Sequence, residues 1–241
     1  MSEQAVLPID VPHLPTFANF VVGDNTELCA SLQSRAPGFS GYWLCGEDVC
    51  GKTHLLRASC LSAVEYGDLH AYVDCTAQPS QPLAASLSGM IDRLREGSDL
   101  SATVAIDHAD EVLGHSDAEE ALMALYNTLH EGSSDATRRL LVASRQPASA
   151  TRVTLADLNS RLRALAHYQL APLNDGDKSQ VLRIRAAQRG YHLSDSVLEY
   201  WLRRGPRGMD RLLADLQRLD VATLQHKRLL TVPLLKSVLG Y

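Results

Sequence analysis

Residues 41–54 read Gly41-Tyr42-Trp43-Leu44-Cys45-Gly46-Glu47-Asp48-Val49-Cys50-Gly51-Lys52-Thr53-His54. Gly46, four further residues and Gly51-Lys52-Thr53 satisfy the phosphate-binding pattern G-x-x-x-x-G-K-[ST]. Tyr42 to Cys45 is an aromatic and apolar run suited to a buried strand, and the residues after Gly51 are helix-compatible. Strand, loop and helix are the context that such a pattern needs. Gly46 and Gly51 permit a backbone path that turns successive N–H groups toward phosphate, and the positive end of the following helix adds to it. Lys52 supplies an ammonium for the outer phosphates, and the Thr53 hydroxyl is a ligand for Mg²⁺. Val49, Cys50 and His54 are assigned to the same cradle. The bland alternative is a chance glycine-rich turn.

Working outward, strands and helices alternate, the pattern of a parallel sheet covered on both faces. Candidate strands are 41–45, 70–74, 102–106, 139–143 and 168–170, and candidate helices 52–66, 82–95, 117–131 and 155–165. A first helix is read from Asn25 to about Gln33. In the third of the larger helices Ala118, Ala121, Leu122, Leu125 and Leu129 recur at helical spacing. Beyond Ala171-Pro172-Leu173-Asn174 every segment reads helical: 176–189, 195–204, 209–226 and 232–239. The expected fold is α/β, with an extended arm at 1–16, a nucleotide-binding α/β domain at 17–171 and a small all-helical lid domain at 172–241.

Composition narrows the function. With 45% hydrophobic residues the chain can bury a sizeable core. A net charge of −5 argues against a protein that grips DNA through a basic face, and leaves local basic patches open. Five cysteines without C-x-x-C spacing fit a reducing compartment rather than a disulfide framework or zinc site. No 18-residue apolar run or leader pattern occurs, so the expectation is a cytoplasmic protein without membrane contact.

Ala102-Thr103-Val104-Ala105-Ile106-Asp107 is an apolar strand ending in a carboxylate. Asp107 would help Thr53 hold Mg²⁺, the alternative being an ordinary strand-end turn residue. Many nucleotide hydrolases follow this aspartate with an acid that activates water, and here the next residue is His108. General-base help contributes about 10²–10⁴-fold in rate. Intrinsic hydrolysis is therefore expected to be slow, unless His108 or Asp110 substitutes.

These residues resemble the AAA+ ATPases of the DnaA type, over nearly the whole chain. Phe17-Ala-Asn-Phe-Val-Val-Gly-Asp-Asn25 is similar to the segment that opens that family's nucleotide domain, which implies that Phe20 and Val21 lie near an adenine. Gly51-Lys52-Thr53-His54-Leu55-Leu56 matches the family's form of the phosphate loop, and Asp107-His108-Ala109-Asp110 its second acidic motif. Leu140 to Arg145 resembles the sensor-1 strand, whose polar residue falls at Ser144 or one position from it. Asp157-Leu158-Asn159-Ser160-Arg161 resembles the box VII motif L-x-S-R. That implies that Arg161 is an arginine finger reaching a neighbour's nucleotide, with Arg163 as the other register and a plain surface arginine as the bland reading. Gly205-Pro206-Arg207-Gly208-Met209 falls where the family carries its sensor-2 arginine, which implies Arg207 over the phosphates, with Arg211 as the fallback.

Within that family the likeness is to the regulatory members that inactivate the initiator DnaA. His226 to Pro233 resembles their closing segment R-K-L-T-I-P. Gln4-Ala5-Val6-Leu7-Pro8-Ile9 is similar to the peptide Q-L-x-L-P-L by which they bind the DNA polymerase sliding clamp, which implies clamp contacts at Gln4, Leu7, Pro8 and Ile9. DnaA's helix-turn-helix domain has no counterpart in these residues, so no direct sequence-specific DNA binding is expected. The resemblance implies ADP or ATP with Mg²⁺ as ligands, DnaA and the clamp as partners, a possible homo-oligomer, and negative regulation of replication initiation. The rival is an autonomous AAA+ ATPase that loads or remodels replication proteins. A small-molecule kinase would share residues 41–54 but gives no reason for the box VII arginine.

Overall fold

The computed structural model describes residues 14–76, 83–226 and 230–241. They divide into two units, Pro15–Pro172 and Leu173–Tyr241, with Leu14 grouped with the second.

The first unit is built on strands β1 (Gly38–Cys45), β2 (Leu69–Asp74), β3 (Ala102–Asp107), β4 (Thr137–Ser144) and β5 (Ala166–Gln169). They form one sheet in the order β2-β3-β4-β1-β5, with every pairing parallel. Helices α1 (Thr26–Gln33), α2 (Lys52–Glu65), α3 (Leu83–Glu96), α4 (Ser116–His130) and α5 (Ala156–Arg163) alternate with the strands. Side chains alternate across a strand, so one run of sequence feeds two cores. Trp43, Cys45, Val104, Ile106, Leu140 and Val142 face α3, α4 and α5, packing on Leu87, Ile91, Leu122, Leu125, Leu158 and Leu162. Tyr42, Leu44, Ala105, Leu141 and Ala143 face α1 and α2, packing on Leu28, Leu32, Leu55 and Leu56. Burial on both faces explains why β1, β3 and β4 read as apolar runs rather than alternating ones.

Three strands begin two or more residues away from the sequence expectation. β1 begins at Gly38, three residues early, because Gly38 to Gly41 pair in register with Thr137 to Leu140. β4 begins at Thr137, where Arg138 and Arg139 pair with both neighbouring strands. β5 runs over 166–169, since Ala166 and His167 pair with Tyr42 and Trp43 at the sheet edge although neither looks strand-like. In each case tertiary pairing overrides weak local propensity.

The second unit comprises α6 (Asp175–Gln188), α7 (Asp195–Arg204), α8 (Met209–His226) and α9 (Val232–Leu239). Its core gathers Leu182, Leu193, Val197, Leu198, Trp201, Leu212, Leu216, Leu219 and Leu235. Asn174 opens α6 through a capping box with Asp177, and Thr231 opens α9 with Pro233 in its first turn. Among the described residues no helix is long and apolar enough to cross a membrane.

Candidate nucleotide site and finger helix

The phosphate loop joins the carboxyl end of β1 to the first turn of α2, at the strand ends where open parallel sheets bind ligands. Gly51 holds φ at +104°, in the left-handed region. A Cβ there would stand 2.7 Å from Cε2 of Phe20, so conformation and space both demand glycine. Val49 also has positive φ, 59°, a strained setting for a β-branched residue. Lys52 is buried, its ammonium donating to the carbonyls of Gly46 at 2.7 Å and Glu47 at 2.8 Å. The first N–H groups of α2 have no carbonyl a turn earlier and are the donors available to an anion.

The segment before α1 is laid over this loop. Phe20 packs on Gly51, with its ring centroid 5.3 Å from that of His54, and the His54 ring meets the Thr16 carbonyl at 2.8 Å. Val21 beside it is buried. Asn25 closes the arrangement: its amide nitrogen donates to Val22 O, and its Oδ1 accepts from Ala171 N at 2.9 Å, just beyond β5. Sequence reasoning read Asn25 only as a helix start. Its side chain makes no cap and instead ties two distant segments, which no local signal discloses.

At the end of β3, Asp107 is fully buried. Its Oδ2 accepts from the Tyr72 hydroxyl at 2.8 Å and its Oδ1 from His108 N at 3.0 Å. Burial pushes the Tyr72 phenol well up, and the Arg57 guanidinium lies over its ring at 4.6 Å. Next along, His108 adopts φ 54° and directs Nδ1 to Asp74 Oδ1 at 3.1 Å. Burial would raise the Asp74 carboxyl, but bonds from Thr76 and His108 outweigh it and hold the group below its ordinary value. Tyr72 and Asp74 were missed from sequence; the pairing of β2 with β3, which sets Asp74 opposite Asp107, brings them in.

Ser144, the expected sensor residue, is buried at the end of β4, and its Oγ accepts from Gln146 N at 3.3 Å. The exposed group here is Arg145, one position on and within the range the sequence left open. Its guanidinium meets Asp110 and Glu111 and comes within 3.8 Å of Asp48 in the loop. Arg145, Gln146 and Gln169 line a cavity of about 460 Å³ with Gly46, Glu47 and Asp48.

The donor set fits the ligands the motif implies. The loop offers a left-handed glycine path, unpaired helical N–H groups and a buried ammonium, the chemistry of a phosphate cradle. The Thr53 hydroxyl and the Asp107 carboxylate have the oxygen chemistry of a hard divalent cation, and Tyr72 and His108 N leave part of the carboxylate's acceptor capacity free. Among the described residues no group of three or more His, Cys, Asp or Glu could hold a metal on its own. The five cysteines are free thiols, and burial pushes Cys60 and Cys75 up to about 12.

Arg161 lies on α5, whose buried face carries Leu158 and Leu162. Its guanidinium donates to both carboxylate oxygens of Asp157, at 3.3 and 3.2 Å, and to Asn127 of α4. It sits 5.2 Å from the Tyr126 ring centroid, with the side chain 33% exposed. Arg163 is exposed and donates to Ser149 O. The start of α5 is fixed by Glu119, which is fully buried in α4 and accepts from the N–H groups of Gly114, Thr154 and Leu155 and from the Thr154 hydroxyl. Burial opposes the charge on Glu119, yet these donors hold its carboxyl below the ordinary value.

Arg207 belongs to the helical unit, where it is largely exposed and 3.6 Å from Asp175. The clamp-peptide candidates Gln4, Leu7, Pro8 and Ile9 lie outside the described residues.

Residues 175–239 match the family model described as Hda, lid domain. Domain III of the replication initiation protein DnaA from Thermotoga maritima is similar in fold, with a TM-score of 0.72, 18% identity, and coverage of 93% of this chain and 95% of that chain. AMPPCP-bound DnaA from Aquifex aeolicus gives a TM-score of 0.64 at 17% identity, over 88% of this chain and 67% of that one. RuvB from Thermotoga maritima gives 0.67 at 15% identity, over 94% and 71%. Sheet order, loop position and a following helical unit thus give the chain the AAA+ fold of these neighbours. Within that fold the helical unit is similar, over residues 175–239, to the Hda lid domain.

Proposed function

We propose that this chain binds an adenine nucleotide, ADP in its working state, at the loop of residues 46–54, with Mg²⁺ held through Thr53 and Asp107. Nucleotide binding is supported by the loop's donor set and by the AMPPCP-bound DnaA that shares the fold. It then acts on DnaA as a negative regulator of replication initiation. Gln4, Leu7, Pro8 and Ile9 dock on the sliding clamp loaded on DNA. Arg161 is delivered to ATP held by DnaA, where it offsets charge building up on the transferring phosphoryl group, and hydrolysis leaves the initiator inactive.

The observation that carries this reading is the setting of Arg161. Its hydrogen-bond partners among the described residues, Asp157 and Asn127, belong to α5 and α4 and none to its own phosphate loop. Three N–H donors are used of the five a guanidinium has. The remaining two, on a side chain one-third exposed, are free for an anionic oxygen. Asp157 is mostly exposed, so water screens the pair and it holds the arginine by no more than about 1 kcal/mol. Such a group supplied in trans is worth about 10³–10⁵ in rate in other NTPases.

The test mixes the chain with ATP-loaded DnaA, clamp and DNA and follows conversion of ATP to ADP. Arg161→Ala is expected to retain nucleotide and to lose the stimulation. Undiminished stimulation would mean that another arginine, Arg163 first, is the finger. The rival reading, an autonomous ATPase, draws on the His108 ring fixed by Asp74. It requires single-turnover hydrolysis by the isolated chain at rates typical of active ATPases.

A further inference from the structure

The charge of this acidic chain is unevenly divided. Residues 173–241 carry twelve Lys and Arg against seven Asp and Glu, whereas residues 1–172 carry eleven against twenty-one. Ion pairing decides where the surplus of the helical unit appears. Asp195 is taken by Arg183, Asp220 by Arg189, Asp215 by Arg218, and Asp175 by Lys178 and, more loosely, Arg207. Asp177 is engaged in the α6 capping box. Of the cations left without an acid, Lys227 and Arg228 lie outside the described residues, Arg185 bonds Gln188 and Lys236 lies over the Tyr200 ring. Arg203, Arg204 and Arg211, by contrast, are exposed and make no hydrogen bond or ion pair to any described residue. Arg203 and Arg204 close α7, while Arg211 stands in the first turn of α8, so with Arg207 between them four guanidinium groups fall on one corner within nine residues. The acids nearest in sequence, Glu199 and Asp210, form no ion pair with any of them. Arginines in a last helical turn complement the helix's negative end, which accounts for the placement of Arg203 and Arg204 but not for their lack of acidic partners.

We infer that the α7–α8 corner is a docking surface for the phosphate backbone of DNA, used without regard to sequence. Every cation at the corner is an arginine, whose planar fork pairs phosphate oxygens two at a time. Three of the corner's four guanidinium groups, those of Arg203, Arg204 and Arg211, have no acidic partner among the described residues, and Arg207 meets only Asp175, at 3.6 Å. The surface is too small to grip DNA alone at physiological salt, where non-specific binding of this kind has a Kd of about 10⁻⁴–10⁻⁶ M. It suits a protein brought to DNA by another contact. The inference rests on the function proposed above only for the source of the DNA, the duplex that threads the clamp.

The experiment uses the full chain alone and a fluorescent duplex of random sequence, with binding followed by anisotropy as salt is raised. Arg207 is left intact because of its place in the nucleotide reading. Wild type is expected to bind at low salt with log K falling linearly against log salt. Arg203→Gln with Arg204→Gln is expected to reduce that slope by about 1.8, at about 0.9 per phosphate contact. Arg203→Lys with Arg204→Lys is expected to restore most of it, which separates charge from packing. Three results would overturn the inference: no DNA binding by wild type at low salt, an unchanged slope in the double glutamine variant, or binding to anionic phospholipid vesicles with none to DNA. DnaA and clamp are absent from this assay, so its failure leaves the Arg161 reading standing, and the converse holds.

Discussion

Lys52 shows how much a single residue settles. The residue has 7% of its surface exposed, and its ammonium is costly to bury unless hydrogen-bonded; the Gly46 and Glu47 carbonyls supply those bonds from the loop just before it. The same geometry sets the charge among backbone donors, where phosphate would be bound. Hydrogen bonds to charged groups contribute about 1.5–3 kcal/mol, and 1.4 kcal/mol is tenfold in affinity. Lys52→Ala is therefore expected to weaken ATP and ADP binding by about 10–100-fold in a titration with fluorescent nucleotide, and unaltered affinity would remove the phosphate-loop assignment. Gly46, Gly51 and Lys52 were legible in sequence because local backbone and charge dictate them. Tyr72 and Asp74 were not, because only strand pairing brings them to Asp107 and His108. Ser144 was named through the resemblance to the sensor-1 strand, yet its burial, with Arg145 exposed beside it, depended on how the chain leaves the sheet.

The element that presents Arg161 is held by charge buried elsewhere. α5 begins at Leu155 without a side-chain cap, and Glu119, one helix away, accepts from the N–H groups of Thr154 and Leu155. Replacing that carboxylate leaves several buried donors poorly paired, so Glu119→Gln is expected to destabilise the fold by roughly 2–4 kcal/mol in urea denaturation. The sign of the pH effect follows from the depressed carboxyl. Its stabilisation is fully present above the unfolded value of about 4.3 and is lost as pH falls through the lower folded value. The gap between wild type and Glu119→Gln should stay constant from pH 7 to 5 and narrow only below about 4.3; a gap narrowing near neutrality would contradict this account. Glu119 stands at helical spacing from Leu122 and Tyr126 on the buried face, but an acid among apolar positions was not singled out from sequence. Its partners at Gly114, Thr154 and Leu155 come from loops that no helical period describes. Arg138 and Arg139 make the same point for β4. Two successive arginines suggest an exposed edge, but Arg138 caps the end of α3 through Leu94 O and Gly97 O and also reaches Thr128 O in α4, while Arg139 reaches Leu32 O near the end of α1.

For the molecule as a whole, the balance of charge bears on how it meets DNA. A net −5 opposes association with a polyanion, and the basic corner of the helical unit offsets this only locally. A weak electrostatic contact becomes effective when a second contact holds the partner near, because tethering replaces free encounter by a millimolar effective concentration and can raise avidity by about 10²–10⁴. The peptide Gln4 to Ile9 is the candidate tether, with the apolar composition of segments that dock in a partner's groove. The alternation of strands and helices and the helical segments that follow were legible because each element carries its own period and caps. Contacts with other molecules have no such period, and only short motifs and unpaired charge disclose them. Among the described residues both cores of the sheet unit and the core of the helical unit draw on positions from 17 onward. Deleting residues 1–9 is therefore expected to leave the melting temperature and the salt-dependent binding of free DNA unchanged. It should abolish co-migration with the clamp in gel filtration and lower stimulation of DnaA hydrolysis on clamp-loaded DNA by at least tenfold. If the truncated chain still co-migrates with the clamp, the tether lies elsewhere, and the basic corner would have to reach DNA without it.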